Sequence, residues 1–196
     1  MGRPAAGLLL AAGAGRRMGR PKALVELDGE PLVRRALRAL TDGGLAPVVV
    51  VLGARAADVR PIIPVAVQAV EAPDWADGMG ASLRAGLAAV QGRADAAVVH
   101  LVDLPGVPAG AVARLAAVAG PHVLARAAYG GRPGHPVLIG CAHWAGVRAA
   151  ATGDAGARGY LAGRTDVHLV ECGDLADPDD VDTPEQLAAF TARRRP

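Results

Sequence analysis

A single lysine in this chain lies in a loop whose composition suits phosphate binding. Lys22 stands against 20 arginines and falls in the basic, glycine-rich segment LLLAAGAGRRMGRPKAL, residues 8–24. Glycines let a backbone approach a ligand closely and turn its N–H groups toward it. A lysine offers phosphate oxygens a compact ammonium, whereas arginine offers a planar fork, so the two do not readily replace each other. Composition alone also allows chance survival of one lysine, but the loop around it predicts a nucleotide-phosphate site.

Two other phosphate-binding loops match this segment less well. A Walker-type loop needs GxxxxGK followed by Ser or Thr, which is absent. The dinucleotide fingerprint GxGxxG is nearly matched by Gly13 and Gly15, but its third glycine comes one position late. Gly19 and Pro21 also oppose the helix that this fingerprint opens. The acidic residue expected after the second strand is missing. Arg55 stands there instead and leaves an NADPH site open.

Carboxylates near the ends of two other apolar runs can complement such a loop. Asp103 follows the run AAVVHLV and precedes Leu-Pro, where it can hold Mg²⁺ against phosphate oxygens or simply form a turn. Four aspartates lie between residues 177 and 182, just before Thr183-Pro184-Glu185. Helix capping explains Thr183 to Glu185 but leaves the four aspartates without a role.

Two further segments have residues that can contact a substrate. Residues 77–87, DGMGASLRAGL, open a predicted helix whose first N–H groups, with Ser82 and Arg84, can bind an anion. A capped amphipathic helix is the structural alternative. His135 lies between Gly134 and Pro136, which favours a turn or a substrate contact over an acid–base role.

Alternating short and long apolar segments predict an α/β fold. Strands are predicted near 6–11, 47–52, 65–70, 96–102, 122–127, 136–139 and 166–171, and helices near 31–42, 54–60, 79–91, 108–118, 142–150, 155–162 and 184–193. This alternation is typical of a mostly parallel sheet with helices on both faces. Ligands of such sheets bind beyond the carboxyl ends of the strands. The loops after the first, fourth and seventh predicted strands should therefore form the site.

Length and composition limit the classes of protein that fit. The 196 residues suit one domain, predicted over 1–192, followed by a solvated basic tail over 193–196. A net charge of +2 is too small to indicate a nucleic-acid or membrane partner. Cys141 and Cys172 lack metal-like spacing, and no signal peptide or spanning run is evident, which predicts a cytoplasmic protein.

The segment LAAGAGRRMGRPKAL resembles the signature loop of the MobA-like nucleotidyltransferases that complete the molybdenum cofactor. Five further segments, HLVDLP, VDTPEQL, GMGASLRAGL, GHPVLI and GDAGAR, resemble motifs of the same family, so that the resemblance covers nearly the whole chain. It implies a Rossmann-like three-layer α/β/α fold of the nucleotide-diphospho-sugar transferase type. It also implies Mg²⁺-dependent transfer of a nucleoside monophosphate from CTP or GTP to the phosphate of molybdopterin, with release of pyrophosphate.

The resemblance assigns roles to particular residues. Catalysis is implied for Lys22, Arg17 and Asp103; nucleotide binding for Leu10, Ala11, Ala12, Gly13, Ala14, Gly15, Arg16, Arg17, Lys22, Gly78, Ser82 and Arg84; metal binding for Asp103 and Asp182, with Asp180 as the weaker candidate; and acceptor binding for Gly134, His135, Pro136, Asp154 and Arg158. The spelling LAAG resembles the cytidylyl branch and favours CTP. A molybdenum hydroxylase is implied as a recipient of the product.

The chain departs from the family pattern at two positions. Val102 replaces a usual glycine before Asp103, and Cys141 stands where a basic residue is commoner, which leaves the acceptor open. Three other functions remain: an NAD(P)H-dependent oxidoreductase, a non-catalytic carrier of molybdenum cofactor, and a sugar-phosphate nucleotidyltransferase. The short chain and the GHPVL and GDAGAR segments oppose the last of these.

Overall fold

A seven-stranded sheet forms the centre of the molecule. A computed structural model of the chain describes residues 3–194. In chain order its elements are β1 (Ala5–Leu10), β2 (Glu26–Leu27), β3 (Glu30–Pro31), α1 (Leu32–Asp42), β4 (Val48–Leu52), α2 (Ala56–Val59), β5 (Gln68–Glu71), α3 (Met79–Val90), β6 (Ala96–Leu101), α4 (Ala109–Ala116), β7 (Leu124–Tyr129), β8 (Arg132–Gly140), α5 (Trp144–Ala150), α6 (Arg158–Leu161), β9 (Val167–Glu171) and α7 (Pro184–Arg194). The strand order is β5-β4-β1-β6-β8-β7-β9, and β2 and β3 form a separate hairpin.

Every strand of the main sheet is parallel to its neighbours except β8. It runs antiparallel to both β6 and β7, whereas β9 returns parallel to β7. The continuous apolar runs were predicted to be buried on both faces, and the structure confirms this, because all five residues of β4 and the first five of β6 are buried. The predicted mostly parallel α/β sheet is therefore confirmed.

Two apolar cores cover the two faces of this sheet. One lies beneath α1, α4 and α7 and includes Leu37, Val112 and Phe190. The other lies beneath α3, α5 and α6 and includes Leu87 and Val147. Helix α1 buries residues spaced three and four apart, as an amphipathic helix on a sheet must. Within residues 3–194 no helix is both long and apolar enough to cross a membrane.

The predicted elements all occur, with shifted ends. The strand predicted at 136–139 extends over residues 132–140, and the one predicted at 65–70 begins at Gln68. Helix α7 continues to Arg194, so Arg193 and Arg194 lie in its last turn rather than in the predicted tail. Arg195 and Pro196 lie outside the described residues.

Candidate active site

The site forms where β1 and β6 end side by side. Leu10 and Leu101 are paired in register, so the chain leaving β1 passes next to the chain leaving β6. A cleft of about 380 Å³ opens at this edge. Predicted site residues that line it are Leu10, Ala12, Gly13, Ala14, Gly15, Arg16, Lys22, Gly78, Ser82, Asp103 and Asp154, and the lining residues that were not predicted are Trp75, Ala76, Met79, Leu101 and Val102.

The glycine loop after β1 folds back on itself instead of opening an α-helix. Two short 3₁₀ turns, Arg16–Met18 and Lys22–Leu24, follow it, and the first α-helix begins only at Leu32. Gly15 has φ +61°, and a Cβ there would stand 1.9 Å from the carbonyl oxygen of Arg20. Only glycine fits at this position. The loop therefore differs from the dinucleotide fingerprint, whose glycines lead directly into a helix.

Lys22 reaches two carboxylates at the mouth of the cleft. Its Nζ donates to Asp103 Oδ2 at 2.7 Å and also to Asp182 Oδ1. Burial lowers the pKa of Lys22, but the charges and hydrogen bonds of these carboxylates outweigh burial and raise that pKa above its ordinary value. The ammonium therefore keeps its proton. The other oxygen of Asp182 accepts a hydrogen bond from Arg17 Nη2 at 2.6 Å.

A helix cap places Asp182 in the site. The Gln186 side chain accepts hydrogen bonds from the N–H groups of Asp182, at 2.8 Å, and Thr183, at 3.0 Å, while Thr183 Oγ1 accepts one from the Gln186 N–H at 3.3 Å. This is a capping box at the start of α7. The N–H of Val181 also donates to the carbonyl oxygen of Asp103 at 2.9 Å. The predicted cap residue Thr183, together with Gln186, which was not predicted, thus holds Asp182 beside Asp103.

Asp180 and Asp182 differ in their environment. Asp182 is buried, with 8% of its surface exposed, whereas Asp180 is exposed. Burial raises the pKa of Asp182, but Lys22 and Arg17 more than offset this and hold it below the usual range. Burial and the charges of Asp182 and Asp103 raise the pKa of Asp180. Of the two carboxylates, Asp182 therefore interacts more strongly with cationic groups.

The two carboxylates on Lys22 suit a cation that arrives with phosphate. Among residues 3–194 no three His, Cys, Asp or Glu side chains converge as a metal site of their own. Asp103 and Asp182, however, already point oxygens at one positive charge. Mg²⁺ is commonly held by one or two carboxylates, with substrate phosphates and water completing its shell. The donor set therefore fits Mg²⁺ bound together with a nucleotide.

The far wall of the cleft joins the start of α3 to the segment of Asp154. Gly78 has φ +107°, and a Cβ there would lie 2.7 Å from Asp154 Oδ1 and 2.5 Å from the backbone of Gly153. Arg84 does not reach the cleft as predicted. It pairs with Asp74 at 2.8 Å and donates to the Ala151 carbonyl oxygen at 2.5 Å, and these two contacts hold its guanidinium away from the cleft.

The other predicted residues surround the cleft without lining it. Ala11 is buried in the core below the loop, and Arg17 reaches Asp182 from outside with 70% of its side chain exposed. The acceptor candidates Gly134, His135, Pro136 and Arg158 lie on β8 and α6, farther along the same edge of the sheet. The structure brings Asp154 to the cleft but leaves these four outside its lining.

His135 is held as a neutral ring. The Tyr129 hydroxyl donates to its carbonyl oxygen at 2.6 Å. Burial and then the charge of Arg126 lower the pKa of His135 to about 4, with a smaller effect from Arg158, although Asp103 opposes them. A ring that is neutral at pH 7 can contact a substrate but cannot serve as a general acid there. The sequence-based preference for a contact role agrees with this.

Sequence patterns missed several residues here. Trp75 lines the cleft from a turn after β5 and packs on Gly53. A Cβ added at Gly53 would lie 2.6 Å from the Cβ of Trp75. A residue in a turn has no periodic signal to reveal it. Buried His100 on β6 has no hydrogen-bond partner on either ring nitrogen.

Comparisons with known proteins agree with this geometry. The model of the MobA-like NTP transferase domain matches residues 7–169. The nicotine blue oxidoreductase of Paenarthrobacter nicotinovorans is 39% identical over 196 residues, covering 92% of this chain and 93% of that protein. A molybdenum cofactor guanylyltransferase of Rhodobacter capsulatus is 41% identical over 127 residues, 60% of each protein.

A solved structure extends the similarity to the whole chain. Rv0371c from Mycobacterium tuberculosis superposes with a TM-score of 0.84 at 26% identity and covers 98% of this chain and all of that one. The same protein has been solved in complex with manganese, with a TM-score of 0.78 over 96% of this chain and 98% of that one. The fold, the glycine loop and the matched family domain lead to one conclusion: the chain belongs to the MobA-like NTP transferase family.

Proposed function

We propose that this protein transfers CMP, or another nucleoside monophosphate, from its triphosphate to the phosphate of a molybdopterin-type acceptor. The observation that carries the proposal is the meeting of Lys22, Asp103 and Asp182 at the mouth of a cleft walled by the glycine loop. A phosphate oxygen of the acceptor forms a bond to the α-phosphorus, and the bond from that phosphorus to the bridging oxygen of the β-phosphate breaks. Pyrophosphate leaves, and no proton transfer is required of the protein.

Each part of the site has a task in this reaction, which depends mainly on positioning and on neutralising charge. Backbone N–H groups of residues 13–19 bind the triphosphate. Lys22 and Arg17 offset the charge that grows on the departing pyrophosphate. Asp103 and Asp182 would hold Mg²⁺, which when bound supplies charge neutralisation on the phosphate oxygens. Neutral His135 and the segment of Asp154 and Arg158 face the acceptor.

We favour CTP among the possible donors. The LAAG spelling of the loop resembles the cytidylyl branch of the family. Val102 lines the cleft at a position where the family pattern usually has glycine, and its branched side chain takes room that a purine needs more than a pyrimidine does. The Rhodobacter relative is named a guanylyltransferase, so GTP is the principal competitor. Delivery of the product to a molybdenum hydroxylase belongs to the same proposal.

An NAD(P)H-dependent oxidoreductase is the second candidate function. It is favoured by the name of the Paenarthrobacter relative, whose similarity covers more of this chain than that of the guanylyltransferase. The loop that folds into 3₁₀ turns, and the two carboxylates on Lys22, oppose a dinucleotide site of the usual kind.

Calorimetric titration of the purified protein separates these candidates. CTP, GTP, ATP, UTP and NADPH are titrated one at a time, with and without Mg²⁺. We expect CTP to bind most tightly and to need Mg²⁺. Tight binding of NADPH with indifference to CTP and Mg²⁺ would overturn the proposal. Release of pyrophosphate in the presence of acceptor then distinguishes an enzyme from a carrier that only binds the cofactor.

A further inference from the structure

Arg126 is a half-buried cation that the proposed mechanism does not use. It lies on β7 beside the segment of Gly134 and His135, and its Nε and Nη2 make long hydrogen bonds to the carbonyl oxygens of Gly134, at 3.3 Å, and Pro133, at 3.5 Å. Within residues 3–194 neither Arg126 nor Arg158 forms an ion pair with a carboxylate. Arg158 is exposed, but Arg126 is partly removed from water without a counter-ion among the described residues, and an anionic partner would stabilise such a charge.

The backbone directs Arg126 to the acceptor side of the sheet. It is paired in register with Val137, which belongs to the core beneath α3, α5 and α6, so both side chains share that face. The ladder between β7 and β8 shifts register directly after Arg126. Irregularities of this kind re-aim side chains near active sites.

Arg126 and Arg158 lie close enough to affect each other. Burial, followed by the charge of Arg158, lowers the pKa of Arg126 below its ordinary value. Both guanidinium charges also act on His135, which feels the charge of Asp103 as well. In the strand order β6-β8-β7, His135 on β8 lies between the end of β6, which Asp103 follows, and Arg126 on β7. Within the part of the chain that the structure describes, Arg126 is therefore a guanidinium without a carboxylate partner on the acceptor side of the site, where it can receive an anion.

We propose that Arg126 forms a subsite for an anionic group of the acceptor other than the phosphate that reacts. This rests on the proposed function, since it completes the same substrate site. Strand β7 lies two strand spacings, roughly 10 Å, from β6. The Arg126 guanidinium is hydrogen-bonded to the Gly134 carbonyl oxygen, next to His135, so an acceptor that extends from Asp103 past His135 approaches Arg126. The planar fork of arginine suits a tetrahedral oxyanion such as phosphate.

Inorganic phosphate tests the subsite directly. The full chain is first saturated with Mg²⁺ and a non-hydrolysable α,β-methylene analogue of CTP, so that phosphate cannot enter the glycine loop. Phosphate is then titrated by calorimetry into the wild type, Arg126→Gln, Arg126→Lys and the exposed control Arg148→Gln. We expect Arg126→Gln to weaken phosphate binding by about tenfold, as loss of one charge-assisted contact of about 1.4 kcal/mol would do. Arg126→Lys should recover part of the affinity, and Arg148→Gln should leave it unchanged.

The outcomes separate this proposal from the nucleotide site. Equal phosphate affinity in the wild type and Arg126→Gln, or no phosphate binding by the wild type, overturns the subsite even where the CTP analogue still binds. If the wild type does not bind the analogue, the proposed nucleotide donor is wrong. The phosphate titration is then repeated without nucleotide. It compares the single variant Lys22→Ala with the double variant that carries both Lys22→Ala and Arg126→Gln. Weaker binding in the double variant would then still support the subsite, and equal binding would still overturn it.

Discussion

His100 should make the stability of this protein sensitive to acid. Burial, with a smaller effect from His135, lowers the pKa of His100 to about 3 from 6.5. The unfolded chain therefore binds a proton at a higher pH than the folded chain does, and the free energy of unfolding rises with pH through this window. The stability that neutral His100 supplies is fully present above pH 6.5 and is lost as the pH falls toward 3.

The size of the loss follows from the two pKa values. A pH of 5 is 1.5 units below the pKa of 6.5 of the unfolded imidazole, which is therefore protonated, while the ring in the folded chain is still neutral. At about 1.4 kcal/mol per unit this removes about 2 kcal/mol of stability. His135, with its pKa lowered to about 4, loses a similar amount over the same range. Together the two rings predict a fall of about 4 kcal/mol between pH 8 and pH 5.

Replacing His100 by leucine tests this account. The variant His100→Leu should lose only about half as much stability between pH 8 and pH 5. It should also gain about 1–3 kcal/mol at pH 8, because a buried ring with two unpartnered nitrogens is removed. Urea unfolding followed by circular dichroism at both pH values measures both effects, with exposed His168→Gln as the control. If His100→Leu loses as much stability between pH 8 and pH 5 as the wild type does, the acid sensitivity does not come from this ring.

Three further predictions concern the site and the packing around it. Asp103→Ala and Lys22→Ala should each abolish turnover in a pyrophosphate-release assay, because each removes a charge from the reacting centre. Both variants should keep the circular dichroism spectrum of the wild type. A normal rate in either variant would contradict the mechanism. Gln186→Ala should cost about 1 kcal/mol in urea unfolding and slow turnover, because it breaks the cap that places Asp182; unchanged turnover would show that the cap does not position this carboxylate. Gly86→Ala should lower the free energy of unfolding by about 1–3 kcal/mol, since the new Cβ would stand 2.4 Å from Leu8 Cδ1. Gly110→Ala in α4, whose Cβ would have its nearest neighbour at 3.8 Å, should be neutral or stabilising. Equal melting temperatures of the two variants would contradict this packing argument.

Sequence patterns predicted most of the fold because its central strands, β1, β4 and β6, are short and almost fully buried. The runs of β4 and β6 are apolar on both faces, which only central strands of a covered sheet require. The reversal of β8 was missed, although Gly130-Gly131, with φ +58° and +76°, is a pair that favours a two-residue hairpin turn. Asp28-Gly29 gives the same signal for the missed hairpin of β2 and β3.

The candidate site was predicted less evenly than the fold. The glycine loop and Asp103 were predicted because their residue types suit phosphate and metal at the ends of strands, whereas Asp182 was singled out among four aspartates only by the resemblance to a family motif. Arg84 was placed in the cleft because it follows a helix start, but its ion pair with Asp74 turns it away. Arg126 was missed because an arginine in a strand gives no chemical signal until its neighbours are known.

The contact of Lys22 with Asp182 joins residues 160 positions apart, and the capping box that supports it belongs to the last helix. Contacts of such long sequence separation form late, because the chain must close a large loop before gaining them. A nascent chain that has just completed the sheet still lacks this carboxylate and cannot yet assemble the charge pattern around its only lysine. Removal by a protease of the segment after β9 would return a folded molecule to that condition. On the proposed mechanism, catalytic competence is therefore acquired only once α7 has been made, and loss of that helix is enough to remove it.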